Sequence, residues 1–139
     1  MLDHIPHAKA VGLSIVSVEK ATAVVKLPYD EKLVGNPDTG VVHGGVITTL
    51  LDNCCGIAVG MALGEMRPIA TLDLRIDYLK PATPQLEILA RAHCYKVTAN
   101  IAFVRASAYH LDPADPIATA VGAFMLDTAG NRNSKSRTG

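Results

Sequence analysis

The segment that decides the fold is VHGGVITTLLDN, residues 42–53, which opens a long apolar run ending near Gly64. Apolar side chains occupy nearly every face of a 3.6-residue period over residues 43–64, so one helix is predicted there, with Gly64 ending it. A helix of about 20 residues is roughly 30 Å long at 1.5 Å per residue. Because it is apolar nearly all round, this helix is predicted to lie at the centre of the domain.

A carboxylate lies in the middle of this apolar run. Asp52 and Asn53 interrupt it, and a membrane-spanning helix rarely carries a charged group at mid-length. We therefore interpret the segment as the core helix of a soluble protein, with no membrane partner. The N-terminal residues MLDH contain no basic segment followed by an apolar one, so no signal peptide is expected and the predicted location is the cytoplasm.

Strand-like segments precede and follow the helix. Two lie before it, at residues 13–18 and 22–27, with a turn at Glu19-Lys20, and a loop over residues 29–42 follows them. Four more lie after the helix, at residues 70–78, 86–94, 101–111 and 117–126. The short loops between these later segments predict an antiparallel meander of four strands.

The segment 70–78 has the clearest alternation of apolar and polar side chains. One predicted face carries the apolar side chains Leu72, Leu74, Ile76 and Tyr78. The other predicted face carries the polar side chains Thr71, Asp73, Arg75 and Asp77. This strand is therefore predicted to be half buried, with Thr71 on the polar face.

Together these elements predict a two-layer α+β domain, in which a curved antiparallel sheet wraps around one long central helix. A chain of 139 residues fits a single domain, assigned to residues 1–128, with a short helical turn expected at residues 3–10. The polar tail, residues 129–139, is predicted to be disordered. One sheet of this size cannot cover the helix on all sides, so the remaining apolar surface is expected to be buried against a second copy.

Composition narrows the classes of function. Thirteen basic and thirteen acidic residues cancel, and a neutral chain has no field to attract a nucleic-acid backbone, so no nucleic-acid partner is expected. The three cysteines, Cys54, Cys55 and Cys94, are interpreted as reduced thiols. Cys54 and Cys55 are predicted to be buried packing residues and not nucleophiles. Since no Cys/His grouping has zinc spacing, no metal site is expected. Aromatic residues make up only 4%, so Val, Ile, Leu and many Ala must fill the core with backbones close together.

The start of the helix and Asp52 form the candidate site. Gly44-Gly45 leaves backbone N–H groups uncovered at the positive end of the helix dipole, where a developing oxyanion or a phosphate is stabilised. Asp52 follows Gly44 by eight residues, a rotation of about 80°, so both can border one crevice. Among its apolar neighbours Asp52 is predicted to be buried, and a buried carboxylate is costly unless something uses or pairs it.

Each of these features also has a structural interpretation. Gly44-Gly45 can permit close helix–sheet packing, His43 can be a capping or core histidine, and Asp52 can form an ion pair with Arg75 or Arg91. Taken together, the uncovered N–H groups and the acid on one helix favour a catalytic pair.

Two segments carry a resemblance to a known family. VHGGVITTLLD, residues 42–52, followed by TLDLRIDYLKP, residues 71–81, resembles the PaaI-like branch of the hotdog-fold thioesterases over about residues 10–127. The resemblance implies the hotdog fold and hydrolysis of an acyl-CoA-type thioester. It also implies CoA as part of the substrate, no resident cofactor, and a homodimer or a dimer-of-dimers tetramer with active sites at the subunit interface.

The resemblance further assigns roles to residues of this sequence. It implies that the Gly44 N–H, with the Asn36 side chain, polarises the thioester carbonyl. Asp52 from the facing subunit acts as nucleophile or as general base, and Thr71 orients the water or the carboxylate. His43 positions the loop and the helix start. The segment Thr98-Ala99-Asn100 departs from the Gly-Arg or Gly-Lys common before the next strand, which leaves acyl-carrier-protein thioesters open beside CoA thioesters. An aryl and a medium-chain acyl group are both compatible with the small side chains of the helix.

Two other functions stay open on the sequence. Asn36-Pro37 upstream of His43 has some similarity to the arrangement in hotdog hydratases and dehydratases, although the spacing is longer. A non-catalytic acyl-CoA-binding module shares the fold but has no need of a carboxylate in the core helix.

Overall fold

The structure, a computed structural model, describes residues 12–30, 33–36, 38, 40–42, 44–65 and 68–126. The elements in chain order are β1 (Ser14–Glu19), β2 (Thr22–Leu27), β3 (Val34–Asn36), β4 (Val41–Val42), α1 (Gly44–Leu63), β5 (Ile69–Tyr78), β6 (Ile88–Val97), β7 (Ile101–Tyr109) and β8 (Ala118–Leu126). Within the described residues, six strands form one antiparallel sheet in the order β1-β2-β6-β7-β8-β5, and β3 pairs with β4. The predicted α+β class is confirmed. The expected turn at residues 3–10 and the expected disordered tail at 129–139 lie outside the described residues.

The helix α1 agrees with its predicted position within one residue at each end. Gly64 follows it with a φ of +75°, a left-handed conformation that costs glycine little. The N–H of Gly64 donates to the carbonyl oxygen of Gly60 at 3.0 Å, which ends the helix as predicted. By length and hydropathy alone such a helix is able to cross a membrane. Here its buried side chains pack on the sheet of its own domain.

The core between α1 and the sheet is built from small side chains. The helix-facing positions of β6 and β7 are largely alanine, and Ala90, Ala92, Ala102 and Ala108 are fully buried. Because alanine extends only one carbon from the backbone, α1 approaches the middle of the sheet closely. Larger buried side chains, such as Leu50, Leu51 and Val59 of α1, complete the core. The sparse aromatic content of the sequence predicted a core of this kind.

The order of the later strands follows the predicted meander only in part. β6, β7 and β8 are adjacent in that order, but β5 does not lie beside β6, and that part of the prediction is wrong. β5 pairs with β8 at the edge of the sheet, and β6 pairs with β2 and β7 in its middle. Residues 79–87 therefore cross the end of the β7–β8 hairpin. The Leu79 N–H donates to the Ile117 carbonyl oxygen at 2.8 Å, the Lys80 ammonium lies 2.7 Å from the Asp115 carboxylate, and these contacts hold the crossing segment. Alternation predicts a strand and its faces but does not identify its neighbour.

A β-bulge at Leu72 changes the face on which Thr71 lies. Thr71 is opposite Phe124, whereas Asp73 is opposite Ala123, so Leu72 has no partner on β8. Phe124 is buried on the helix side, and directly opposite residues share a face, so Thr71 also faces α1. The prediction that Thr71 and Asp73 share a polar face is therefore wrong. Bulges commonly redirect a side chain in this way beside functional sites.

Gly122 of β8 lies at the point where β5 resumes regular pairing after the bulge. It is opposite Leu74. A Cβ atom added to Gly122 would lie 3.0 Å from Leu74 Cδ1 and 3.1 Å from the Asp73 carbonyl oxygen. The bulge and the glycine therefore fit each other, and a side chain at position 122 would displace β5.

We expect Gly122→Ala to lower the free energy of unfolding by about 1–3 kcal/mol, the usual cost of overpacking. The matched control is Gly56→Ala in α1, where the added Cβ would meet Ile69 Cδ1 at an ordinary 3.6 Å. That control is expected to be neutral or stabilising by up to about 1 kcal/mol, because alanine is the better helix former. Urea unfolding of the three proteins measures both values. Equal stabilities of the Gly122→Ala variant and the unsubstituted protein would contradict the packing described.

Candidate active site

The catalytic candidates Asp52 and Thr71 are joined by a hydrogen bond. The Thr71 hydroxyl donates to Asp52 Oδ1 at 3.0 Å. This contact is possible only because the bulge at Leu72 directs Thr71 towards α1. A neutral hydroxyl fixes the orientation of the carboxylate without cancelling its charge, so the second carboxylate oxygen remains able to accept a proton or attack a carbon.

Asp52 is partly exposed, and the prediction of a buried carboxylate is wrong for the single chain. The buried face of α1 packs on β2, β6 and β7. Thr48, Thr49, Asp52, Asn53 and Gly56 instead form a half-exposed stripe along the helix. Asp52 lies on this stripe because the sheet covers only part of the helix surface.

The structural interpretation in which Asp52 forms an ion pair with Arg75 or Arg91 does not fit these contacts. The Arg75 guanidinium lies 3.6 Å from the Asp77 carboxylate on the exposed side of β5. Arg91 lies on the sheet face turned away from α1. The carboxylate of Asp52 is thus oriented by Thr71 and not by these two cations.

Tyr78 holds the start of α1 and was not predicted to have this role. Its hydroxyl donates to the Gly44 carbonyl oxygen at 3.0 Å and lies 2.7 Å from the Thr48 hydroxyl. The sequence placed Tyr78 correctly on the helix-facing side of β5, together with Leu74 and Ile76. The available indication was that tyrosine, unlike those neighbours, has a polar end that needs a partner.

β5 therefore contacts α1 at both ends of the candidate site, through Thr71 at Asp52 and through Tyr78 at Gly44. Gly44 itself is exposed, so the start of the helix is accessible. A depression of about 390 Å³ opens beside it. Its lining is mostly apolar and includes Ile47, Leu79 and Pro81. This geometry suits an apolar ligand with one polar group directed at the helix start.

The loop before α1 is held by Tyr29. Its hydroxyl donates to the Gly40 carbonyl oxygen at 2.9 Å, and Gly40 has a φ of +71°. A Cβ at Gly40 would lie 3.3 Å from both Pro84 Cβ and the Tyr29 hydroxyl. The short ladder β3–β4 continues from this loop and pairs Asn36 with Val41, so the backbone of Asn36 lies close to the chain entering α1.

The predicted site residues are thus brought together in part. Gly44, Asp52 and Thr71 lie along one side of α1, where β5 faces it. For Asn36 the structure describes the backbone but not the side chain, and His43 lies outside the described residues. The roles assigned to Asn36 and His43 stay predictions.

The cysteines behave as packing residues. Cys54 and Cys55 are fully buried and form no disulfide, and the Cys54 thiol donates to the Ala23 carbonyl oxygen at 3.3 Å. Burial raises the pKa of the Cys54 thiol from 9.0 to about 12. Burial likewise raises the pKa of Cys55, with a further contribution from the neighbouring Cys54. A thiol held in its protonated form is a poor nucleophile, so the prediction that these residues are buried packing groups is confirmed.

Metal binding has no support within the part of the chain that the structure describes. No three side chains among its His, Cys, Asp and Glu residues lie close enough together to hold a metal ion.

A family model described as the thioesterase superfamily matches residues 39–117, more than half of the chain. This chain belongs to the thioesterase superfamily. The matched region contains α1 and β5, and with them Gly44, Asp52, Thr71 and Tyr78. The predicted class, a thioester hydrolase, is confirmed.

Two relatives identified by sequence and two solved structures extend this result. A provisionally named esterase of Halobacterium salinarum is 34% identical over 120 residues, which is 81% of this chain and 77% of that protein. The medium/long-chain acyl-CoA thioesterase YigI of Salmonella typhimurium is 29% identical over 136 residues, which is 88% of this chain and 86% of that protein.

Among solved structures, a protein of Pseudomonas aeruginosa is 44% identical with a TM-score of 0.83, covering 91% of this chain and 93% of its own. The PaaI protein of Escherichia coli is 20% identical with a TM-score of 0.81, covering 92% of this chain and 88% of its own. At 20% identity the second likeness concerns the fold alone. The predicted hotdog fold is confirmed.

We expect Cys54 and Cys55 of the folded protein to react with a thiol reagent at pH 8 at least about 10³-fold more slowly than free cysteine, because burial raises the pKa of both thiols. At a pKa of about 12, the value for Cys54, about 10⁻⁴ of the thiol is ionised at pH 8. Mass spectrometry of the modified peptides measures the rate at each site. The control is the same protein in denaturant, in which all three thiols should react quickly. Fast modification of Cys54 or Cys55 in the folded protein would contradict the assignment.

Proposed function

We propose that this protein hydrolyses the thioester of an aryl- or medium-chain acyl-CoA to the free acid and CoA, with Asp52 as general base or nucleophile. The observation that carries the proposal is the Asp52 carboxylate, which Thr71 orients on the half-exposed side of α1. The name of the YigI relative, a medium/long-chain acyl-CoA thioesterase, supports an acyl-CoA substrate. The neutral charge of the chain supports a protein without nucleic-acid partners. The three cysteines, which form no disulfide, support a cytoplasmic location.

The helix start stabilises the transition state. The thioester carbonyl oxygen gains negative charge as the carbonyl carbon is attacked, and the N–H of Gly44, at the positive end of the α1 dipole, donates to it. Tyr78 contributes indirectly, because its hydroxyl fixes the first turn of α1. A fixed donor needs no reorganisation when the charge develops.

Asp52 supplies the general base or the nucleophile of the reaction. As a general base, it accepts a proton from a water molecule whose oxygen attacks the carbonyl carbon. The carbon–sulfur bond then breaks, CoA leaves as a thiolate, and the proton held by Asp52 returns to the sulfur. As a nucleophile, Asp52 forms an acyl anhydride and releases the thiolate first, and water then hydrolyses the anhydride. Thr71 orients the carboxylate in both routes.

The active form is proposed to be a homodimer, alone or within a tetramer. β5 is a ten-residue strand at the edge of the sheet, and long edges of this kind favour pairing with another chain. Large apolar side chains are exposed along and after it, with Leu72 at 48%, Tyr78 at 51% and Leu79 at 57%. Pairing of β5 with its copy about a two-fold axis would bury this surface. It would also bring Asp52 of one subunit towards Gly44 of the other.

We expect Asp52→Asn to lower kcat by about 10²–10⁴-fold if Asp52 is a general base, and further if it is a nucleophile. The amide keeps the volume of the side chain but neither accepts the proton nor attacks the carbonyl, so KM should change far less than kcat. Release of CoA from a panel of acyl- and aryl-CoAs, followed with a thiol reagent, measures both constants.

The matched control for this substitution is Asp73→Asn, which makes the same change on the opposite face of β5 and should keep full turnover. Thr71→Val should reduce kcat less than Asp52→Asn, and Thr71→Ser, which keeps the hydroxyl, should recover it. Near-normal turnover by a folded Asp52→Asn protein would refute the mechanism. Hydration of an enoyl-CoA, or binding without CoA release, would instead favour the hydratase or the binding module.

We expect the protein to sediment as a dimer or tetramer at micromolar concentration, and Leu72→Lys to shift it towards the monomer because the lysine places a charge in the β5 edge. Turnover should fall with the loss of the dimer, since each site needs two subunits. Leu111→Lys is the matched control, because Leu111 is 90% exposed in the β7–β8 turn. A stable monomer with full turnover would disprove the shared site.

A further inference from the structure

The sheet face turned away from α1 carries a depression, lined by apolar surface and by six polar or charged side chains, that the proposed hydrolysis does not use. It has a volume of about 410 Å³, and we call it the outer-face depression. Its polar lining consists of Asp77, Arg91, His93, Arg105, Ser107 and Thr119. Four neighbouring strands, β5 to β8, contribute these side chains, so their backbone positions are fixed by the sheet.

The register brings positive charge together on this face. Arg91 of β6 is opposite Ser107 of β7, and His93 is opposite Arg105. Arg91 and Arg105 are therefore diagonal neighbours on one face, close enough for their long side chains to reach a common ligand. Among the described residues, no ion pair joins either guanidinium group to an acid. Two neighbouring cations repel each other, and a bound anion would remove that repulsion.

The acid in the lining, Asp77, has another partner. The Asp77 carboxylate lies 3.6 Å from the Arg75 guanidinium. That pair contributes no net charge, so the depression keeps the positive charge of Arg91 and Arg105.

Two of the cationic or polar side chains are held before any ligand binds. The Arg105 guanidinium carbon lies 4.3 Å from the centre of the Tyr95 ring, a cation–π contact that limits its motion. His93 Nδ1 lies 2.9 Å from the Thr22 hydroxyl, which orients the imidazole and leaves Nε2 as its second polar atom. The hydroxyls of Ser107 and Thr119, which are opposite each other on β7 and β8, add neutral donors.

This set of donors matches a phosphate ligand. A guanidinium group presents paired N–H donors that fit two phosphate oxygens, and it loses less hydration than an ammonium group. Two guanidinium groups on diagonal positions fit a pair of adjacent phosphates better than they fit a single phosphate. We propose that the outer-face depression binds the diphosphate group of a nucleotide-like molecule.

The sheet separates this binding site from Asp52. α1 and Asp52 lie against one face of the sheet, whereas Arg91, His93 and Arg105 lie on the other. A molecule bound in the depression therefore occupies different residues from the thioester. Binding of a diphosphate in the depression can be tested on a protein without turnover, and only the assignment of that diphosphate to CoA rests on the proposed function.

Isothermal titration calorimetry with inorganic pyrophosphate tests the site directly. We expect saturable binding that weakens as the salt concentration rises, since charge attraction carries it. The double variant Arg91→Gln/Arg105→Gln should weaken binding at least tenfold, whereas Lys20→Gln, which removes one exposed cation from the β1–β2 turn, should leave it unchanged. If the double variant does not fold, Arg91→Lys/Arg105→Lys replaces it, and a weakening of several-fold is expected because the paired donors are lost.

The diphosphate has two possible sources, the nucleotide end of CoA and a free nucleotide such as ADP. Kinetics with acyl-CoA and with an acyl-pantetheine, which lacks the nucleotide, distinguish them. If the site holds the CoA nucleotide, the double variant raises KM for acyl-CoA alone. If it holds a free nucleotide, ADP binds with acyl-CoA present and the double variant leaves both KM values unchanged.

The proposal is overturned if the folded wild-type protein shows no saturable pyrophosphate binding, or if the double variant binds as tightly as the wild type. Sedimentation gives a further outcome that would overturn it. Wild-type protein that binds no pyrophosphate, with a double variant that loses its oligomeric state, would make this face an interface between copies.

Discussion

The incomplete covering of α1 is the constraint on which the rest of the structure depends. The helix is apolar on nearly all sides, but the sheet buries only the side that packs on β2, β6 and β7. The half-exposed stripe that remains contains Asp52 and leads to the accessible start of the helix at Gly44. Burial of the first side supplies the free energy that holds the helix. The open side is where the chemistry is proposed to occur.

Much of this architecture was predictable from the sequence, because it follows from local pattern. The helix bounds came from an apolar run ending at Gly64, and the strands came from alternation and turn residues. The order of the strands was not predictable in this way, since it depends on contacts between distant segments such as Leu79 with Ile117. A meander is the simplest arrangement of strands that are joined by short loops. Here contacts to the β7–β8 turn hold a crossing segment instead.

The candidate site was predictable in its residues but not in its geometry. Spacing identified Gly44 and Asp52, and the family resemblance added Thr71. Strict alternation nevertheless put the Thr71 side chain on the wrong face. A bulge adds one residue without changing composition, so no pattern within β5 reveals it. Gly122, far along the chain, is its counterpart on β8, and single-sequence reasoning could not connect the two. The exposure of Asp52 depends in the same way on the whole sheet, because only the packed fold determines which side of α1 stays uncovered.

The position of β5 at the edge also determines when the site can form during folding. β5 follows α1 directly in the chain, but its partner β8 is the last strand among the described residues. The two strands between them, β6 and β7, pair with each other. Closing such a long loop is slow compared with forming a hairpin. During synthesis, Thr71 therefore has no sheet to hold it near Asp52 until β8 has left the ribosome. A chain that ends before Ala118 would contain every proposed catalytic residue and still lack the arrangement that joins them.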